Sequence, residues 1–194
     1  MTKIIGLTGG IGSGKTMVAK YIESLGYPVY IADDEAKKLM DTPQVILEVV
    51  SVFGNDVLAD GKISREKLAA IVFNNPDKLQ KLNRIIHPKV KEHFDNWVRE
   101  NKIFPLVFKE AAILFETGGD KYCDAVITVT APIDTRLQRV MERDKTDKEA
   151  VLKRMNSQWA DEQRVAKSDF VIQNISVNET YKQIKQILNL LINQ

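Results

Sequence analysis

The chain has 194 residues, 44% of them hydrophobic and 28% charged, with 28 Lys plus Arg against 26 Asp plus Glu and a formal net charge of +2. That balance excludes a disordered chain and suits one domain carrying an insertion, and it excludes the whole-molecule positive field that wrapping nucleic acid requires. The single cysteine, Cys123, cannot close an intramolecular disulfide, the opening is strand-like rather than a leader, and no apolar run approaches the roughly 20 residues of a membrane-spanning helix. The expectation is a cytoplasmic chain without nucleic-acid or membrane partners.

Lys3 to Thr8 is an apolar, β-branched run closed by glycines and reads as a buried strand of a parallel sheet. Met17, Val18, Tyr21, Ile22 and Leu25 then recur at helical spacing, with Gly26 as a C-cap, which predicts a helix over 14–25. Val29 to Ala32 predicts a second strand. From about residue 33 to 101 the pattern is helical, with breaks near Pro43, Asp60-Gly61 and Pro76, and with a further break expected at His87-Pro88. Such a block suggests an insert over the sheet edge, with Val90, Phe94 and Trp97 in its core.

Phe104 to Phe108 and Ala125 to Val129 are further buried-strand candidates. Pro132 to Arg143 and Lys148 to Arg164 read as two arginine-rich helical stretches. Asp169 to Ile172 is a last strand, and Thr180 to Ile192 a closing amphipathic helix. Strands alternating with helices predict an α/β fold with a parallel sheet.

Gly9-Gly10-Ile11-Gly12-Ser13-Gly14-Lys15-Thr16 carries the spacing of a phosphate-binding P-loop between a strand and a helix. The glycines let successive amide N–H groups turn inward, and the helix N-terminus adds its partial positive charge. Lys15 is placed to reach the β- and γ-phosphates of ATP, and the Thr16 hydroxyl to ligate Mg2+. Met17 continues the nucleotide-binding set into the first helical turn.

The loop alone does not choose the reaction. Neither the guanine-reading motif of a GTPase nor the apolar run ending in Asp-Glu of a motor is in the sequence, which leaves a small-molecule kinase. Such an enzyme needs a group beside the acceptor hydroxyl. Asp33 stands just past the second strand, at the edge where open α/β sheets place ligands, with Asp34 as competitor and a helix N-cap as the alternative role for either. Glu110, closing the run from Phe104, is either an acid that holds Mg2+ or its waters, or a solvated surface residue. Arg136, Arg139, Arg143, Arg154 and Arg164 are each either a cation for a transferring phosphoryl group or a solvated residue of a helix surface, and Arg139 and Arg143 fall on one helix face. His87 is either structural or a substrate contact.

Together these residues resemble the dephospho-CoA kinase family over nearly the whole chain. Leu7 to Thr16 is that family's particular P-loop, Ala32-Asp33 falls on its Asp-Ala-Asp, and His87-Pro88 matches its His-Pro. Ile113 to Glu116 matches its Pro-Leu-Leu-Phe-Glu, and Asp169 to Asn174 its late strand. Ile31, Lys37 and Ala111-Ala112 depart from the pattern.

The resemblance implies a P-loop NTPase-type five-stranded parallel sheet flanked by helices, a helical CoA-binding insert over about 33–101, and a lid over about 136–164. It implies ATP-dependent phosphorylation of the ribose 3′-hydroxyl of dephospho-CoA, with Mg2+, in the last step of coenzyme A synthesis. Asp33 is then the base, Lys15 with Arg139 or Arg143 stabilises the phosphoryl group, Asn174 lies beside the adenine, and His87 helps hold the CoA portion. Gln158 matches a lid-closing glutamine. Another nucleoside or nucleotide kinase, or an ATP-binding module without catalysis, are the competing expectations, and a monomer or weak homo-oligomer is expected.

Overall fold

The computed structural model describes residues 1–73 and 75–193. The elements run β1 (Lys3–Thr8), α1 (Lys15–Ser24), β2 (Val29–Ile31), α2 (Ala32–Met40), α3 (Pro43–Phe53), β3 (Leu58–Ala59), β4 (Lys62–Ile63), α4 (Arg65–Val72) and α5 (Pro76–Glu100). They continue as β5 (Leu106–Glu110), β6 (Ala125–Thr130), α6 (Ile133–Asp144), α7 (Lys148–Asn156), α8 (Asp161–Lys167), β7 (Phe170–Gln173) and α9 (Val177–Asn193). The chain divides into two compact units, Met1–Ile31 with Asn101–Gln194, and Ala32–Glu100.

The first unit is built on a five-stranded parallel sheet in the order β2-β5-β1-β6-β7. Strands buried on both faces need continuous apolar sequence, and β1, β5 and β6 supply it: Ile5, Leu7, Leu106, Phe108, Ile127 and Val129 are all essentially inaccessible. Val18, Ala19 and Ile22 of α1, and Ile184, Ile187, Leu188 and Leu191 of α9, close the same core. Tyr21 stacks on Tyr181 between these two helices, centroids 3.5 Å apart. From the central β1 the chain passes to the β2 side of the sheet, while β6 pairs on the other. Reversals of this kind open a crevice at the carboxyl ends of the strands.

The second unit is helical, with a separate core of Val45, Val49, Val57, Ile63, Leu68, Val72 and Ile86. Ser64 caps α4 by accepting from the Lys67 N–H. Lys89 of α5 pairs with Glu48 of α3 at 2.7 Å.

One expected break is filled by a hairpin, and three local expectations need correction. Asp60-Gly61 is a hairpin turn joining β3 to β4, with φ of 50° and 77° at the two residues, the positive pair a two-residue hairpin demands. Pro88 does not break α5, which runs on through it; proline removes one amide donor, and a 25-residue helix retains its other bonds. The stretch from Lys148 to Arg164 is two helices, parted at Ser157–Ala160. The strand expected over Phe104 to Phe108 is β5, which starts two residues later and takes in Lys109 and Glu110. Among the described residues no helix is long and apolar enough to cross a membrane.

Candidate active site

β1 runs directly into the glycine loop, and the loop into α1. The Ser13 N–H donates to the Gly10 carbonyl at 3.1 Å, and Met17 and Val18 donate to the Gly14 carbonyl at 3.0 and 3.2 Å, so the helix starts on the last loop glycine. Gly12 (φ 79°) and Gly14 (φ 92°) lie in the left-handed region, and a Cβ at either would collide, with the Arg136 carbonyl and the Asn174 amide nitrogen respectively. Glycine is therefore required twice over at both. The amides heading α1 sit at the positive end of the helix dipole, the arrangement that binds phosphate.

Lys15 folds back over this loop, its Nζ donating to the Gly9 carbonyl at 2.8 Å and lying 3.9 Å from Glu110 Oε1. The strand register explains the pairing, because Glu110 sits opposite Leu7, two residues before the loop. Glu110 is only 7% exposed, which removes the reading of a solvated carboxylate. Thr16 is exposed in the first turn of α1, and Met17 is half-buried. Thr8 Oγ1 and Ser13 Oγ are buried without a hydrogen-bond partner in the protein.

Asn174 braces the loop from behind. Its side-chain amide donates to the Ser13 carbonyl at 2.8 Å, its Oδ1 accepts from Thr180, and its carbonyl accepts from Arg139 Nη2 at 3.2 Å. Its own N–H is tied to the Thr130 carbonyl. At 3% exposure this amide is committed to the loop.

The structure separates the arginines that the sequence grouped. Arg136 and Arg139 of α6 face the loop, and Arg139 Nη1 is buried and unpartnered. Arg143, one turn on, is exposed and forks onto Asp144 at 2.7 and 3.1 Å, and Arg154 reaches the same carboxylate at 2.6 Å. The hydrogen bond from Arg143, then that from Arg154, holds Asp144 far below the usual carboxylate range, and the same contact raises Arg143. Arg164 is fully buried against Glu116, Asp161 and the Trp159 carbonyl.

In the helical unit, Asp33 is exposed in the first turn of α2, two residues past the end of β2. Asp34, the competing carboxylate, is engaged by Lys37 at 2.8 Å. His87 is exposed on α5. Sequence reasoning missed the contacts of Arg136, Asp161 and Gln158, and gave Thr8 no role beyond strand formation. Arg136 was expected only as one of several cations and Gln158 only as a match to a lid-closing glutamine, and no signal marked Asp161 or the contacts that join the three.

The dephospho-CoA kinase family profile matches residues 3–179. The dephospho-CoA kinase of Fusobacterium nucleatum is 42% identical over 185 residues, covering 94% of this chain and 95% of its own. The chain belongs to the dephospho-CoA kinase family. Among solved structures, TT1252 from Thermus thermophilus superposes with a TM-score of 0.89 at 33% identity, covering 98% of both chains. The dephospho-CoA kinase from Campylobacter jejuni superposes at 0.67 and 27% identity, covering 100% of this chain and 99% of that one. The family is one of phosphotransferases, and ATP is the nucleotide the family implies.

Proposed function

We propose that this chain transfers the γ-phosphoryl group of ATP to the ribose 3′-hydroxyl of dephospho-CoA, with Asp33 as the base and Lys15 and Arg139 as the cations that meet the developing charge. The observation that carries this reading is the cradle of Gly9 to Thr16, with Lys15 laid across it and Glu110 beside it. Loop amides hold the polyphosphate and Lys15 moves from the Gly9 carbonyl onto phosphate oxygen. The 3′-oxygen forms a bond to the γ-phosphorus as the bridge to the β-phosphate breaks, ADP leaves, and the hydroxyl proton passes to the Asp33 carboxylate.

The Thr16 hydroxyl and the Glu110 carboxylate would supply the hard oxygen donors that Mg2+ prefers. Among the described residues no cluster of three or more His, Cys, Asp or Glu side chains makes an all-protein cage, which suits an ion shared with substrate phosphates. Bound there, Mg2+ supplies charge neutralisation along the polyphosphate. Arg139 is favoured over Arg143 for the phosphoryl group because it touches the Asn174 brace and keeps an unpartnered Nη1, whereas Arg143 is taken by Asp144. Residues 136–164 form the lid, and His87 with the insert holds the CoA moiety. The protein acts in the cytoplasm as a monomer or weak homo-oligomer.

Coupled ADP-release assays with dephospho-CoA, adenosine, AMP and shikimate test the assignment. Turnover should require dephospho-CoA; preference for another acceptor would replace the substrate, and stoichiometric ATP binding without ADP formation on any acceptor would replace the enzyme with a binding module.

A further inference from the structure

One residue of the glycine loop, Ile11, is gripped through both its backbone N–H and its carbonyl, which lie on successive peptide groups, by side chains distant in sequence. Its carbonyl accepts from Arg136 Nε at 2.9 Å, and its N–H donates to Gln158 Oε1 at 2.9 Å. The Arg136 guanidinium also lies against Gly10, where any Cβ would strike it, and its backbone carbonyl backs onto Gly12. Arg136 thus touches the loop at three successive residues.

A buried guanidinium needs compensation. Asp161 provides it: its Oδ2 accepts from Arg136 Nη1 at 2.7 Å and from Thr130 Oγ1 at 2.6 Å. Its Oδ1 accepts from Arg164 Nη1 at 3.3 Å, and Arg164 in turn forks to Glu116 Oε1 at 2.9 Å. Two arginines and two carboxylates therefore alternate in a low-exposure chain, the side chains of Arg136 and Asp161 being 10% and 16% accessible. Thr130 ends β6 and Glu116 follows β5, so the chain anchors the loop to the sheet on both flanks of β1. No pair closer to the surface could hold a backbone carbonyl as rigidly, because exposed ion pairs are loose and screened.

We propose that Arg136, oriented by Asp161, is a positioning residue for the nucleotide: it fixes the Ile11 carbonyl and thereby the curl of Gly10–Gly12 that turns the amides toward phosphate. This rests on the nucleotide-binding reading of the loop. Arginine is needed because its planar fork serves two acceptors at once, the Ile11 carbonyl through Nε and Asp161 through Nη1. Lysine keeps the charge beside Asp161 but cannot reproduce the fork.

Arg136→Lys is the decisive variant, since the buried charge stays paired and the fold is kept. Calorimetric titration with Mg-ATP alone should show affinity falling by about tenfold, the worth of one charge-assisted hydrogen bond, and KM for ATP should rise in step. KM for dephospho-CoA should stay within about twofold, a split that a merely structural loss would not produce. Asp161→Asn should act in the same direction, and the double variant should be no worse than the poorer single one, because both act through one contact. ATP affinity within about twofold of wild type in both variants, each shown folded by its melting curve, overturns the assignment. Failure of the wild-type chain itself to bind ATP overturns both this proposal and the reading beneath it, so the two failures are distinct.

Discussion

The groups proposed to meet ligands differ in kind between the sheet unit and the helical unit. In the sheet unit the proposed binding groups are backbone amides and low-exposure side chains already locked to the loop: Lys15 to Gly9, Asn174 to Ser13, Arg136 to Ile11. In the helical unit the corresponding groups, Asp33 and His87, are exposed side chains on helices. A preformed cradle supplies affinity without waiting for the acceptor, whereas an exposed carboxylate contributes only once a hydroxyl is placed against it. Nucleotide binding and catalysis should therefore come apart under mutation.

The largest effect expected tests that separation directly. Asp33→Asn should lower kcat by about two to four orders of magnitude, the range for loss of a general base, with ATP affinity little changed. Lys15→Ala, in the cradle, should instead weaken both ATP binding and turnover. Titration with ATP beside steady-state rates separates the two variants. Unchanged turnover for Asp33→Asn would remove that residue from the mechanism, and unchanged ATP binding for Lys15→Ala would make the cradle a mere turn.

What could be read in the sequence follows the same division. β1, the glycine loop and α1 were legible because every local signal there agrees: an apolar run, glycines at the positions with positive φ, and helical periodicity after them. The β3–β4 hairpin was not, since two strands of two residues leave no period to detect and only the Asp60-Gly61 dipeptide marks them. Pro88 misled because a proline rule describes an isolated helix, and the helical unit packs Ile86 and Phe94 to either side of it. The chain from Glu116 through Arg164 and Asp161 to Arg136 was invisible. Its members come from segments up to 48 residues apart and meet only when β5, β6 and α8 are in place.

A smaller effect concerns where stability lies. Leu7 (0% exposed) is wedged in the central strand, and Leu68 (2%) lies in a core of helices able to close up around a gap. Both truncations to alanine fall in the range of about 2 to 5 kcal/mol, with Leu7→Ala nearer the upper end because a sheet core relaxes least. Urea denaturation of the two variants compares them. A larger loss at Leu68 would mean that the helical unit, not the sheet, limits the stability of the chain.

The smallest effect isolates the sheet unit, because the only cysteine in the sequence, Cys123, lies in it. Burial pushes its thiol up to about 11 from an ordinary 9.0, Lys109 opposing and Asp120 and Asp124 adding to the rise. Its Sγ rests 3.5 Å from the Gly119 carbonyl. Below pH 9 the thiol is protonated both folded and unfolded, so its contribution to stability is constant there. Between about 9 and 11 the unfolded chain ionises while the folded one does not, and stability falls as pH rises. The urea midpoint of the wild type should therefore drop more from pH 8 to 10.5 than that of Cys123→Ala. At pH 8 native alkylation by iodoacetamide should be about a hundredfold slower than in urea, as two pKa units of lost thiolate require. The slow rate should persist in Leu68→Ala if the two cores are energetically separate. Native alkylation as fast as the unfolded rate would show that the thiol is not shielded, and acceleration in Leu68→Ala would show that the sheet core borrows stability from the helices.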